Sequence, residues 1–203
     1  MKYDKQTSSK FSVLYRARYC AQEDISIVVW EDTNIKMLEH PFCLKNITNT
    51  IPVCPLLKTN RYSKLFVSGS NFYLFGESEQ KSSFVKFTEP SKSWNILPSF
   101  LDKRSRFCVC SFMQKIVVIG GNINKESLNS CMAYDINTNK WNYIASMNKS
   151  REDTSCTVFK GKIVTTGGWR KMTFSMNRSS TRRLKSVEAY SFHENKWTKF
   201  LIC

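Results

Sequence analysis

Apolar residues in this chain gather into short runs that recur with a common internal order. Asn71-Phe72-Tyr73-Leu74-Phe75, Lys115-Ile116-Val117-Val118-Ile119 and Lys162-Ile163-Val164-Thr165-Thr166 are β-branched or aromatic and lack polar alternation. Such runs suit strands covered on both faces. Residues 107–112 and 155–159 precede two of them across the short turns Met113-Gln114 and Lys160-Gly161, which predicts hairpins. A third strand is predicted over 84–87, 132–134 and 187–190. A turn follows it, such as Asp135-Ile136-Asn137-Thr138-Asn139-Lys140, whose Asp and Asn suit a tight reversal. A fourth strand then starts at Trp94, Trp141 or Trp197. Each unit is thus four antiparallel strands.

Two of these units carry a glycine pair after the second strand. Gly120-Gly121 is followed by Tyr134 and Trp141, and Gly167-Gly168 by Tyr190 and Trp197. Gly76, Phe87 and Trp94 form the same unit with one glycine lost. The aromatic-to-tryptophan step is constant, since 94 − 87, 141 − 134 and 197 − 190 all equal 7. Paired glycines permit positive φ and close approach of a bulky neighbour, while the aromatics supply buried area between twisted sheets. A unit of about 45–50 residues with four strands is one propeller blade, and one blade cannot bury both of its faces alone. The fold class is therefore all-β, a β-propeller segment of about four blades. The units run 1–11 (tail), 12–60 (a degenerate blade), 61–98, 99–147 and 148–203. In the degenerate blade the strands are expected near 25–29, 35–38 and 51–56, with Trp30-Glu31 where glycines would stand. A partial propeller would leave an unpaired blade face and self-associate.

Composition adds little to the fold and more to the partner. Of 203 residues, 41% are hydrophobic, so the chain can build a sizeable core. The apolar stretch around 25–30 is too short to cross a bilayer, and no signal-peptide pattern opens the chain. A cytoplasmic location, or a nuclear or cytoskeletal one, is the expectation, with the eight cysteines as free thiols. Lys and Arg number 31 against 16 Asp and Glu, a net charge of +15 that calls for an acidic partner.

The Gly-Gly…Tyr…Trp series resembles kelch repeats, well over 61–203 and poorly over 12–60. Ala145-Ser146-Met147, then Arg151, then Gly167-Gly168 is similar to the kelch domains of kelch-like (BTB–kelch) proteins. That resemblance implies a substrate adaptor of a cullin-three RING ubiquitin ligase, with actin binding in some relatives. No BTB or BACK segment is visible in these residues. It also implies that the loop between second and third strands, and the loop joining blades, lie on the partner-binding face.

Two sets of cations meet those loops. The segment from Gly168 to Tyr190 is expanded, with 190 − 167 = 23 against 134 − 120 = 14 in the preceding unit. The extra residues, 169–186, read as a basic loop insertion carrying Arg170, Lys171, Arg178, Arg182, Arg183 and Lys185 without an acidic residue, with Trp169 as an aromatic anchor. The second set is periodic: Arg61, Arg104 and Arg151 precede their glycine positions by 15, 16 and 16 residues (76 − 61, 120 − 104, 167 − 151). They would form either a cationic ring facing an acidic peptide or a repeated contact between blades.

Enzymatic readings rank last. His40 and His193 fall in turns, and no phosphate loop or serine-nucleophile motif occurs. Cys108 and Cys110, two apart on a strand, face one side but lack a second close pair for zinc. Cys156, beside Arg151, Glu152 and Asp153, is a weak candidate for a reactive thiol. No cofactor, metal or membrane is expected. The first reading is a non-enzymatic protein-interaction module for an acidic protein or peptide, such as a ligase substrate. The alternatives are actin and, least supported, nucleic acid.

Overall fold

The computed structural model describes residues 13–17, 26–31, 34–38, 47–52, 63–68, 71–77, 82–88, 91–175 and 178–200. All regular elements among them are strands, arranged as four four-stranded antiparallel sheets and two short ribbons. The chain divides into two units, residues 1–97 and 98–203.

The first unit holds two sheets. One is β1 (Val13–Ala17), β2 (Ser26–Glu31), β3 (Asn34–Leu38) and β4 (Ile47–Pro52), paired in chain order. The other is β5 (Lys64–Ser68), β6 (Asn71–Glu77), β7 (Ser82–Thr88) and β8 (Ser93–Leu97). Its core is aromatic: Phe75 and Phe84 stack at 4.4 Å, Tyr73 and Phe84 at 5.7 Å, and Phe66 lies over Tyr73 and Phe75. In both sheets the second and third strands stay paired to their ends, at Glu31↔Asn34 and Glu77↔Ser82. These are the two units without a glycine pair.

The second unit behaves differently. Its sheets are β9 (Cys108–Phe112), β10 (Lys115–Ile119), β13 (Cys131–Asp135), β14 (Lys140–Ile144), and β15 (Ser155–Phe159), β16 (Lys162–Thr166), β19 (Val187–Ser191), β20 (Lys196–Phe200). Here each glycine pair ends the second strand and turns the chain out of the sheet. What emerges is a separate ribbon, β11 (Asn122–Ile123) with β12 (Glu126–Ser127), and then β17 (Trp169–Ser175) with β18 (Arg178–Arg183). The insertion expected as a loop is therefore a β-ribbon, a lengthened version of the one before it.

The second glycine of each pair makes this exit possible. Gly121 (φ +107°) and Gly168 (φ +84°) sit in backbone that L-residues avoid. A Cβ at Gly121 would lie 2.6 Å from the Ser105 carbonyl oxygen, and one at Gly168 2.7 Å from that of Glu152. Ser105 and Glu152 are the anchor residues of the two ribbons, bridging to Asn122 and Trp169.

The tyrosine and tryptophan of each repeat lock the sheet. Tyr134 and Trp141, and Tyr190 and Trp197, meet cross-strand with ring centroids at 5.2 Å. Each Tyr hydroxyl donates to an Asn in the following turn (Asn139 Oδ1, 2.6 Å; Asn195 Oδ1, 2.8 Å). Both Asn residues have positive φ, which Asn tolerates. Each indole N–H donates at 2.8 Å to a carbonyl in the segment before the repeat, Pro98 O or Ala145 O. Val117, Ile119, Cys131 and Ala133 of the first of these sheets pack against Ile163, Tyr190 and Trp197 of the next, which is how each blade buries a face.

Candidate functional site

Ribbon β17–β18 is built from its base. Trp169 N–H donates to Glu152 O and Glu152 N–H donates back to Trp169 O, both at 2.8 Å. Leu184 N–H closes the far end on Gly168 O at 2.9 Å. The short ribbon repeats the pattern with Ser105, Asn122, Leu128 and Gly121. Below, the Glu152 carboxylate takes Asn122 Nδ2 at 2.5 Å and lies 3.8 Å from Arg106. One edge of the long ribbon leans on the short one, where Lys171 N–H donates to Ser127 Oγ at 2.8 Å.

Register sorts the side chains of the ribbon onto two faces. Trp169 is opposite Arg183 and Lys171 is opposite Thr181; Arg170 is opposite Arg182 and Met172 is opposite Ser180. Directly opposed residues share a face. One face thus carries Trp169, Lys171, Thr181 and Arg183, the other Arg170, Met172, Ser180 and Arg182. Trp169 is half-buried, and the Arg183 guanidinium sits over its ring at 4.6 Å. That contact orders the arginine and covers the indole, so Trp169 is a platform rather than a free anchor. Arg182, Arg183 and Lys185 are exposed, and Arg170 and Lys171 are half-buried. Arg170 Nε is itself buried and has no hydrogen-bond partner among the described residues. Arg178 opens β18. Five of the six cations of the insertion thus belong to one paired ribbon, and Lys185 follows it.

Arg104 and Arg151 do not join them, and the cationic ring is corrected here. Arg104 is 3% exposed and Arg151 is 0% exposed. Arg104 donates to Gly120 O and Ser130 O (both 2.9 Å), to Ser130 Oγ, and through Nε and Nη2 to the Asp102 carboxylate (2.7 and 2.5 Å). Arg151 makes the matching contacts to Gly167 O, Ser186 O and Ser186 Oγ (2.9–3.0 Å). A long cation at this position therefore ties the exit of the second strand to the entry of the third. Guanidinium suits the task because its fixed fork reaches several carbonyls at once. Arg61 and His40 lie outside the described residues, and His193 is exposed in the turn after β19.

The two buried arginines find their counter-charge in different places. Arg104 uses Asp102, two residues earlier and 20% exposed. At the position of Asp102 the next repeat has Lys149, and Arg151 turns instead to Glu188, whose side chain is 3% exposed. Glu188 also accepts from Asn148 N–H (2.7 Å) and Asn148 Nδ2 (2.8 Å). The residue at that position of the preceding sheet is Met132. A carboxylate where its repeat partner has methionine is the one signal in the sequence that could have revealed this pair.

The thiols are structural. Among the described residues Cys108, Cys110, Cys131 and Cys156 form no disulfide, and all four belong to the layer between the last two sheets. Hydrogen bonds with Cys108 and Cys110, then burial, hold the Cys156 thiol well above its ordinary pKa. Burial pushes Cys131 up to about 12. Both stay protonated near neutrality, the reverse of what a reactive thiolate needs.

Comparison with known proteins places the repeats. The family model described as the Kelch motif matches residues 103–148 and 150–200. Kelch-like protein 35 of Mus musculus is 32% identical over 108 residues, 53% of this chain and 17% of that protein. A RING finger domain and kelch repeat-containing protein of Dictyostelium discoideum is 26% identical over 144 residues, 69% of this chain and 14% of that one. An F-box/kelch-repeat protein of Arabidopsis thaliana is 24% identical over 161 residues, 76% of this chain and 42% of that one. The chain thus spans under half the length of each of these relatives. The solved structure of YjhT superposes with a TM-score of 0.60 at 15% identity, over 73% of this chain and 53% of that one, which is a likeness of fold. Glycine exits, Tyr–Trp locks, four-stranded sheets and these matches agree: the chain carries a kelch-repeat β-propeller domain, a type of module that mediates protein interactions.

Proposed function

We propose that this kelch domain recognises an acidic segment of a partner protein through ribbon β17–β18, without catalysing a reaction, as the recognition part of a ubiquitin-ligase adaptor. The observation that carries the reading is the ribbon itself. Between Trp169 and Arg183 it holds five cations and no acid, with Lys185 just beyond it, and it stands on a base fixed by the glycine exit and the Glu152 bridge. Cations held on an ordered element lose less freedom on binding than cations on a loose loop. Complementary charge then sets partner choice and encounter rate. The ligase part follows from the resemblance to kelch-like proteins, and relatives named for a RING finger and an F-box favour it. A cytosolic or nuclear location goes with it.

The test is an array of acidic and neutral peptides probed with the wild-type protein and with the Arg182→Glu/Arg183→Glu variant. Selective capture of acidic peptides, lost in the variant, is the expected result. Capture indifferent to acidity, or unchanged in the variant, removes the electrostatic reading. The adaptor part is tested separately, by co-precipitation of the full-length protein with cullin three. Co-sedimentation with filaments at physiological salt would move the assignment to actin.

A further inference from the structure

The main chain of β18 is as informative as its charges. Trp169 turns its N–H and C=O away from β18, to Glu152, and Lys171 turns its N–H the same way, to Ser127. In an antiparallel pair, a residue whose polar groups point away from the partner strand faces one that does likewise. The residues facing Trp169 and Lys171 are Arg183 and Thr181. Their N–H and C=O groups therefore point to the outer edge of β18. Among the described residues, β18 pairs with β17 alone. Among the described residues the ribbon thus has one edge closed, against Glu152 and Ser127, and one edge that no strand pairs.

We propose that the open edge of β18 receives an extended acidic peptide by strand addition, pairing with the main chain of Thr181 and Arg183 while consecutive acidic side chains meet Arg182 on one face and Arg183 on the other. The proposal rests on the basic-ribbon reading above and adds the mode of binding. An exposed strand edge is a template for any extended chain, and side chains decide which chain may use it. Arg182 and Arg183 are exposed and point to opposite faces, so a strand laid alongside meets positive charge on both. A second copy offering the same edge would set arginine against arginine, which is repulsive. A carboxylate beside Arg182 also lies on the face of Arg170, whose Nε has no partner among the described residues. Nucleic acid could satisfy the charges but has no strand to pair.

Three fluorescent decaglutamate peptides, which present carboxylates on both faces of an extended strand, separate these cases. One is unmodified, one is N-methylated at alternate residues, one at every residue, and all three carry the same charge. Binding is followed by anisotropy to the whole chain. Strand addition predicts that the fully methylated peptide loses about tenfold or more in affinity while the alternately methylated one keeps it, because only alternate amides face β18. It also predicts slowed amide exchange at Thr181 and Arg183, and weakened binding by Thr181→Pro. That variant removes an outward donor at an edge position where proline is tolerated and leaves the β17 hydrogen bonds in place. If both methylated peptides bind like the parent while Arg182→Ala/Arg183→Ala weakens all three, strand addition is overturned and the basic-ribbon reading stands. If the alanine variant also binds unchanged, both fall. A single-stranded oligonucleotide of equal charge that displaces the peptide and binds tighter overturns the proposal, as does a dimer that Thr181→Pro dissolves.

Discussion

Replacing Glu188 by methionine, the residue at the matching place in the preceding repeat, should unfold the domain far more readily than its conservative-looking geometry suggests. Arg151 is 0% and Glu188 3% exposed in their side chains, and they meet at 2.8 Å. With Glu188 gone, a buried guanidinium keeps its carbonyl contacts but loses its counter-charge, and Asn148 loses the acceptor of two hydrogen bonds. Removing one member of such a pair costs about 3–5 kcal/mol, because the other charge is left unpaired away from water. Arg151→Met should cost a similar amount for the mirrored reason. If the sites were independent, the double variant would lose about 6–10 kcal/mol, comparable with the whole stability of a domain. Coupled through one ion pair, Arg151→Met/Glu188→Met should lose only about 3–5 kcal/mol, most of it from the orphaned carbonyls of Gly167 and Ser186. Urea unfolding followed by the fluorescence of the buried Trp141 and Trp197 gives all three numbers. Single losses below about 1 kcal/mol, or losses that add to within about 0.5 kcal/mol, would refute this account of the buried arginines. Asp102→Asn is the control: its carboxylate is 20% exposed, so water can replace part of what is lost and the cost should be smaller.

Three further outcomes follow from the same structure. Gly168→Ala should cost about 2 kcal/mol or more in urea unfolding, since alanine must hold φ near +84° with its Cβ against the Glu152 carbonyl; an unchanged midpoint would contradict the exit geometry. Stability should fall as pH rises from about 9 towards 12, because folded Cys131 keeps its proton up to about 12 while the unfolded thiol loses it near 9.0; Cys131→Val, the residue of the next repeat at Val187, should flatten that limb in denaturation curves taken across the range. Asp135 is held below the usual carboxylate range, first by the Lys115 hydrogen bond and then by the Thr138 amide. Its contribution is present above the unfolded pKa of about 3.9 and lost as pH falls through the lower folded value, so Asp135→Asn should remove part of the acid sensitivity.

The strand order and the Tyr–Trp locks were legible because they rest on local residues at fixed spacing. Tyr134 and Trp141, seven apart, must meet across a tight turn whatever else the chain does. The role of the arginines was not legible. Arg104 and Arg151 recur with the glycines, and recurrence alone fits a binding ring as well as a buried tie. What decides is the set of carbonyls at Gly120 and Ser130, or Gly167 and Ser186, which converge only once the third strand has returned to the second. The pairing of the ribbon is hidden in the sequence for a related reason. Residues 169–183 lack the hydrophobic alternation of a half-buried strand, so the sequence resembles a polar loop. Its pairing is imposed from the ends, where Glu152 holds Trp169 and Gly168 holds Leu184.

That arrangement also explains why cations could accumulate there. The glycine pair, the buried arginine and the Leu184 amide close the blade at its own rim, so the residues between Trp169 and Arg183 can lengthen without disturbing the sheet below. The positive charge of the chain is accordingly of two kinds. Arg104 and Arg151 are buried and each has a carboxylate supplied by its own repeat, Asp102 or Glu188. Among the described residues no carboxylate pairs with Arg170, Arg182 or Arg183, and a partner would have to bring its own. Exposed ion pairs contribute only about 0–1 kcal/mol each, so the exposed Arg182 and Arg183 cannot by themselves hold a partner tightly. Specific binding here needs a second source of affinity that charge does not provide, and the unpaired main chain of Thr181 and Arg183 is the nearest one to those arginines.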